Sequence, residues 1–183
     1  MNKNSLLKPN VYRSEVLMVN HKLKLTLDNT RNIFSLNVNN NGCDKFNSIF
    51  NKFFGLTVPD ISKFNLNENS IVLWSRIKGY IVLSDLHLNQ LSSSFENFAS
   101  ITDQTGGWLL FKISGKGSLY LFEKLVTINL DQFNEGYVIR TSVNKINCFV
   151  LCMKKNETYY IICPASFYKS MADRLKSLIL LIN

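Results

Sequence analysis

Residues 112–125, KISGKGSLYLFEKL, carry the apolar stretch Trp108–Ile113 through Ser-Gly-Lys-Gly-Ser into a helix-like segment. Phosphate-binding loops share this layout, with a strand, a glycine turn and a helix whose free N–H groups face the anion. Two spacing rules test that reading. A P-loop needs Gly-x4-Gly-Lys-Ser/Thr. With Gly115-Lys116 as its Gly-Lys, Leu110 stands where the first Gly belongs and Gly117 where the magnesium-binding hydroxyl belongs. The dinucleotide pattern Gly-x-Gly-x-x-Gly accepts Gly115 and Gly117 but meets Tyr120 at its third position, where only Gly permits close helix–strand packing. The stretch therefore reads as a tight strand-to-helix turn capped near Ser114 or a glycine.

Working outward, period-2 and period-3.6 patterns alternate along the chain. Lys22–Leu27 alternates strictly as a half-buried strand, with Ile33–Val38 as its neighbour, and NVNNNG at 37–42 is a turn cluster broken at Gly42. Phe46, Ile49, Phe50, Phe53 and Phe54 form one helical face, which Gly55 and Pro59 end. Asp60–Ser70 reads as a polar loop, followed by strands Ile71–Trp74 and Tyr80–Leu83 around Lys78-Gly79. Leu88, Leu91, Phe95 and Phe98 mark a second helix, and strands Ile101–Asp103 and Trp108–Ile113 follow. The helix after the glycine loop turns Leu119, Phe122, Leu125 and Val126 inward. Beyond a loop at Asp131–Glu135 come strands Tyr137–Val143, Asn147–Met153 and Thr158–Cys163, the last two a hairpin about Lys154–Glu157. Pro164 opens a final helix with the stripe Phe167, Met171, Leu175, Leu178, Ile179 and Ile182. Strand pairs alternate with single helices. The predicted class is α+β, a mostly antiparallel sheet with helices packed on it. A loose twofold echo of strand–strand–helix runs through it. Residues 1–20 are poorly patterned and read as an extended arm, with a single domain over 21–183.

The chain has 183 residues, 46% of them hydrophobic and 19% charged, which describes a globular protein. Its net charge is +8, half of it within residues 1–31. No basic block stands alone, so a nucleic-acid arm is not indicated. A basic patch facing an acidic partner is the plainer reading. An apolar run such as Leu178–Ile182 is far short of the roughly 20 residues of a membrane span. Four cysteines without an N-terminal signal point to reduced thiols in the cytoplasm.

The reactive side chains do not assemble into chemistry by spacing. Ser84, Asp85 and His87 lie too close in sequence to converge as a triad and read as a cap before the second helix. Cys148 and Cys152 share a strand face but sit about 13 Å apart, whereas zinc needs each sulfur at about 2.3 Å. A turn centred on Lys155-Asn156 would set Cys148 opposite Cys163. With His21 and His87 the two histidines, no metal set is expected. The 13 Phe read as core. Trp74 and Trp108 read as core too, with interface anchoring as the alternative. No catalytic, cofactor-binding or metal residue is assigned.

The order of motifs resembles the gamma subunit of heterotetrameric sarcosine oxidase, from about Phe46 onward. FNSIFNKFFGLTVPD is similar to that family's first helix, and IVLWSRIKGYIVLSD to its strand pair. SITDQTGGWLLFKISGKGSLYLFEKL is similar to its Asp-containing turn, strand, Ser-Gly and helix. INLDQFNEGYVIRTSVNKINCFVLCMKKNETYYIICPASFYKSMADRLKSLI is similar to its closing hairpin and Pro-Ser-Phe helix. Lys116-Gly117-Ser118 departs from the family's Pro and Ala-Arg, Gly107-Trp108 from a more polar pair, and Tyr80 from the usual Trp. The resemblance implies a fold similar to the folate-binding aminomethyltransferase domain of the glycine-cleavage T-protein. It implies three partners: an alpha subunit with NAD and folate, a beta subunit with FAD and covalent FMN, and a small delta subunit with zinc. Such a complex oxidises sarcosine to glycine and hydrogen peroxide, with tetrahydrofolate as one-carbon acceptor, and gamma is not its catalytic seat. Related complexes take other N-methyl amines such as N-methylglutamate. A stand-alone tetrahydrofolate-binding protein and, from charge alone, a nucleic-acid-binding domain are the competing readings. At the glycine loop, Lys116 faces either water or an acidic patch of the alpha subunit.

Overall fold

A computed structural model describes residues 14–39 and 43–182. Most of the predicted arm (residues 1–13), the breaker Gly42 and the basic residues Lys3, Lys8 and Arg13 lie outside them. The strands are β1 (Ser14–Val19), β2 (Lys24–Asp28), β3 (Asn32–Val38), β4 (Phe64–Leu66), β5 (Ser70–Arg76), β6 (Gly79–Ser84), β7 (Ala99–Asp103), β8 (Trp108–Ser114), β9 (Val138–Val143), β10 (Ile146–Lys154) and β11 (Thr158–Pro164). The helices are α1 (Cys43–Phe54), α2 (Leu88–Phe95), α3 (Ser118–Leu125) and α4 (Tyr168–Leu180).

The class is α+β, and every strand pairing within the two sheets is antiparallel. One sheet has the order β1-β2-β8-β11-β10-β9, the other β4-β5-β6-β3-β7. Strand alternation explains how they stack. In β8, Leu109, Phe111 and Ile113 point to a cluster with Leu121, Phe122, Leu175 and Ile179 of α3 and α4. Leu110 points the other way, with Phe149, Leu151 and Ile162, onto Ile71, Leu73, Ile81 and Leu83 of the second sheet. On that sheet's far side Phe34, Leu36, Val72 and Val82 meet Phe46, Phe50, Leu91 and Phe95 of α1 and α2. The result is four layers, helices outside and two sheets between. Strands covered on both faces need apolar residues at consecutive positions, as in Cys148-Phe149-Val150-Leu151-Cys152.

The twofold echo is a repeat of topology. β3-α1-β4-β5-β6-α2-β7 builds the sheet order β4-β5-β6-β3-β7, and β8-α3-β9-β10-β11-α4 builds β9-β10-β11-β8. The place of β7 is taken in the second half by β2, from the other end of the chain. Register shifts fall at matching points, between Trp74 and Arg76 in β5 and between Cys152 and Lys154 in β10. The two halves join at a bridge between Lys63 and Tyr137, flanked by Phe64 N–H to Gly136 O at 3.0 Å and Val138 N–H to Ser62 O at 2.9 Å.

Four sequence expectations change. Ser14–Val19, read as part of an arm, pairs with β2 around a bulge at Leu17 that hides its alternation. The polar loop 60–70 contains β4, of which Phe64 is buried. Pro164 does not open the last helix. It ends β11 opposite Trp108, a 3-10 turn follows over Ala165–Phe167, and α4 begins at Tyr168. That turn shifts the helical phase and leaves Phe167 46% exposed.

The end of β1 is tied to the end of α4 by one side chain. Asn20 Nδ2 donates to Ile179 O and Ile182 O, both at 3.1 Å. Its Oδ1 accepts from Lys22 N–H at 2.9 Å and Leu23 N–H at 2.7 Å. These carbonyls lie at and just past the C-terminus of α4, where the regular intrahelical bonds end. Asn20→Ala should cost about 2 kcal/mol. Asn20→Asp, which keeps the acceptor but turns a carboxylate oxygen toward two carbonyl oxygens at the negative end of α4, should cost at least as much. Thermal melts of the two variants check the order.

Candidate functional site

The glycine loop places its amides against protein. Gly115 N–H donates to Glu157 O at 2.8 Å, Gly117 N–H to Lys22 O at 3.3 Å and Ser118 N–H to Gly115 O at 3.0 Å. Of three donors that would cradle an anion, two are thus spent on packing the loop against the start of β2 and the β10–β11 turn, and the third closes the loop on itself. Lys116 is exposed.

Ser84, Asp85 and His87 point apart. Ser84 Oγ shares a 2.9 Å hydrogen bond with Ser70 Oγ and accepts from Leu86 N–H at 3.3 Å. Asp85 lies 3.9 Å from Arg31 Nε. His87 is the N-cap of α2, and its N–H donates to Gln90 Oε1 at 2.7 Å. The segment is the cap and turn that its spacing suggested.

Cys148, Cys152 and Cys163 are buried and free. The register that pairs Phe149 with Ile162 sets Cys148 opposite Cys163. A hydrogen bond from Cys148 and burial together push the Cys163 thiol far above its ordinary value. Burial, with the Glu135 carboxylate adding and Lys155 opposing, pushes Cys152 up to about 11. Both shifts disfavour the thiolate, the reactive form. Among the described residues no group of three metal-ligating side chains is placed to hold an ion. No helix among them is long and apolar enough to cross a membrane.

One charge does sit inside the first sheet. Asp28, only 8% exposed, ion-pairs with Lys112 across β2 and β8. Its Oδ1 accepts from Thr30 N–H at 3.0 Å and Thr30 Oγ–H at 2.6 Å. Burial alone would raise the carboxyl. The hydrogen bonds of Lys112 and Thr30 and the lysine charge outweigh it, and the pKa falls below 3.8. Lys112 also lies 5.2 Å from the centre of the Tyr160 ring. The signal in sequence was a single lysine inside WLLFKIS. Its partner, 84 positions earlier, carried none.

What remains is a surface. Trp108 packs on Phe149, ring centres 5.8 Å apart, and is core. Trp74 packs on the same inter-sheet cluster, but it also lines a groove of about 430 Å³ with Val58, Pro59, Ile61 and Ile77. Ile61 and Ile77 are 70% and 81% exposed. In the second half the matching hairpin is closed down. There Lys155 Nζ donates to Asp131 O and Asn134 Oδ1, both at 2.7 Å. A Trp between two exposed isoleucines is the composition of a contact surface, and Asp60, Lys78 and Tyr80 also line it.

Comparison with solved structures gives a whole-fold likeness. A chain of the heterotetrameric sarcosine oxidase from Corynebacterium sp. U-96, solved in complex with pyrrole 2-carboxylate, superposes with a TM-score of 0.76 at 13% identity. The match covers 87% of this chain and 85% of that one. The regulatory subunit of aspartate kinase from Thermus thermophilus reaches a TM-score of 0.44 at 10% identity, over 84% of this chain and 96% of that one. The aspartokinase alpha and beta subunits reach 0.45 at 6% identity, over 85% and 96%. The first likeness establishes the fold; the other two carry no statement about this chain. No protein-family model and no curated protein sequence matches.

Proposed function

We propose that this chain is a gamma-type, non-catalytic subunit of a sarcosine-oxidase-like flavoenzyme complex. In this reading it holds other chains in place, while FAD, FMN, NAD, zinc and tetrahydrofolate are bound by alpha, beta and delta partners. The observation that carries it is the whole-fold likeness to a chain of heterotetrameric sarcosine oxidase, at nearly equal length. The uses found for Ser84, His87, Cys148, Cys152 and Cys163 support it, since each is committed to a cap, a strand pair or the core. The choice among sarcosine, N-methylglutamate and other N-methyl amines belongs to the chain that binds the amine.

Co-expression of tagged protein with the products of its neighbouring genes tests this. Yellow, flavin-absorbing chains should co-purify in fixed ratio. A monomer that emerges alone would overturn the proposal. Heat of binding to tetrahydrofolate by the isolated chain would favour the stand-alone folate reading instead.

A further inference from the structure

The two sheets have four outer strands, and three of them are blunted. β4 and β9 are joined to each other through Lys63 and Tyr137, and β1 carries a bulge. β7 is five residues long, pairs with β3 without a register shift, and contains no Pro or Lys. Those are the devices that normally protect an edge. Its ladder is bracketed by Asn39 N–H to Phe98 O and Gln104 N–H to Ile33 O, both at 2.8 Å. Antiparallel alternation then turns the main-chain groups of Ser100 and Thr102 toward β3, and those of Ala99, Ile101 and Asp103 outward.

The internal repeat shows what fits such an edge. β2, the counterpart of β7 and of equal length, is covered by β1 running antiparallel to it. β1 brings Leu17 and Met18 against the core beneath. The second sheet lacks that sixth strand among the described residues. In its place a groove of about 490 Å³ runs between α2 and β7, lined by Ser92, Ser93, Glu96, Ala99, Ser100 and Ile101. Glu96 is its one charged wall.

We infer that β7 accepts an extended segment of a partner subunit as an added antiparallel strand, with a Lys or Arg of that segment reaching Glu96. Main-chain hydrogen bonds supply affinity in this mode and side-chain pockets supply register. The inference rests on the subunit reading above and names the surface through which the subunit attaches.

Two variants test it in the co-expressed complex. Ile101→Pro removes an outward N–H and leaves the β3 ladder whole, a position where a strand tolerates proline. Glu96→Arg reverses the groove charge without touching any strand. Each should reduce capture of the flavin-bearing chains about tenfold or more, with circular dichroism unchanged. In the wild-type complex, amide exchange of the peptide spanning 97–105 should be slower than in the isolated chain. Undiminished capture by both variants with unchanged exchange overturns the inference and leaves the subunit reading standing. An isolated chain that is a dimer, and that Ile101→Pro makes monomeric, also overturns it, because the strand then belongs to a second copy. Failure of the wild type to capture any flavin-bearing chain overturns the subunit reading itself, and this surface with it.

Discussion

Gly115→Ala is expected to lower stability by about 3 kcal/mol or more, seen as a drop of roughly 6–12 °C in melting temperature. Gly115 sits at φ +127, and a Cβ there would lie 2.0 Å from Lys22 O and 2.9 Å from Lys22 C. Both obstacles are backbone, held by the Asn20 side chain and the β1–β2 turn, so neither can swing away. The neighbour Gly117 is the control. Its φ is −86, and an added Cβ would meet Ile182 Cγ2 and Leu23 Cγ, each at 3.2 Å. Side-chain tips can yield by tenths of an ångström, so Gly117→Ala should cost about 1 kcal/mol or less. Equal melting of the two variants would contradict the close approach. The loop that looked like a phosphate cradle is glycine-rich for this reason: a strand start passes over it.

Lys112→Met is expected to cost about 3 kcal/mol near neutral pH, because it leaves the Asp28 carboxylate buried without its cation. Replacing both partners, Asp28→Asn with Lys112→Met, should recover most of that loss, to within ~1 kcal/mol of the parent. The pH dependence follows from the direction of the shift. The folded carboxyl of Asp28 titrates below 3.8, so its contribution is complete above the unfolded value and lost as pH falls through the folded one. In Lys112→Met, burial acts against a weakened set of hydrogen bonds and raises the carboxyl, which then favours the protonated folded state. The gap between parent and variant should therefore close on acidification, as pH falls below the variant's raised value and through the parent's depressed one. Denaturant titrations at several pH values measure it, and a gap independent of pH would reject the pair as its source.

The legible parts of the fold were those with a local period. The five-residue face of α1 predicted both helix and buried side, and Gly55 adopts the left-handed cap that its position suggested, at φ +62. The β10–β11 hairpin was legible, and its register answered the open question about Cys148 and Cys163. β1 was not legible, because the bulge at Leu17 interrupts the period of two. Nor was β4, three residues long with one buried side chain. Of the candidate site, the failures were readable: Leu110, Gly117 and Tyr120 excluded a phosphate loop from spacing alone. The groove at Trp74 was not readable, since Ile61 and Ile77 come from separate loops and nothing local marks either as exposed.

By itself the sequence determined the class of this protein: helices where apolar residues recur at 3.6, strands where they alternate or run on, and hairpins where turn residues intervene. It also excluded a P-loop and a dinucleotide fingerprint at residues 110–120, because those motif tests depend on spacing. Tertiary structure decided how the strands divide into two sheets, that β2 completes the half of the molecule it does not adjoin in sequence, that Asp28 meets Lys112, and that β7 keeps an open edge among the described residues. The physical reason is common to all four. A strand buried on both faces needs apolar side chains whatever lies above it, so its composition records burial and not the identity of the neighbour. Pairing across more than 80 residues depends on register and layer order, which are properties of the assembled chain.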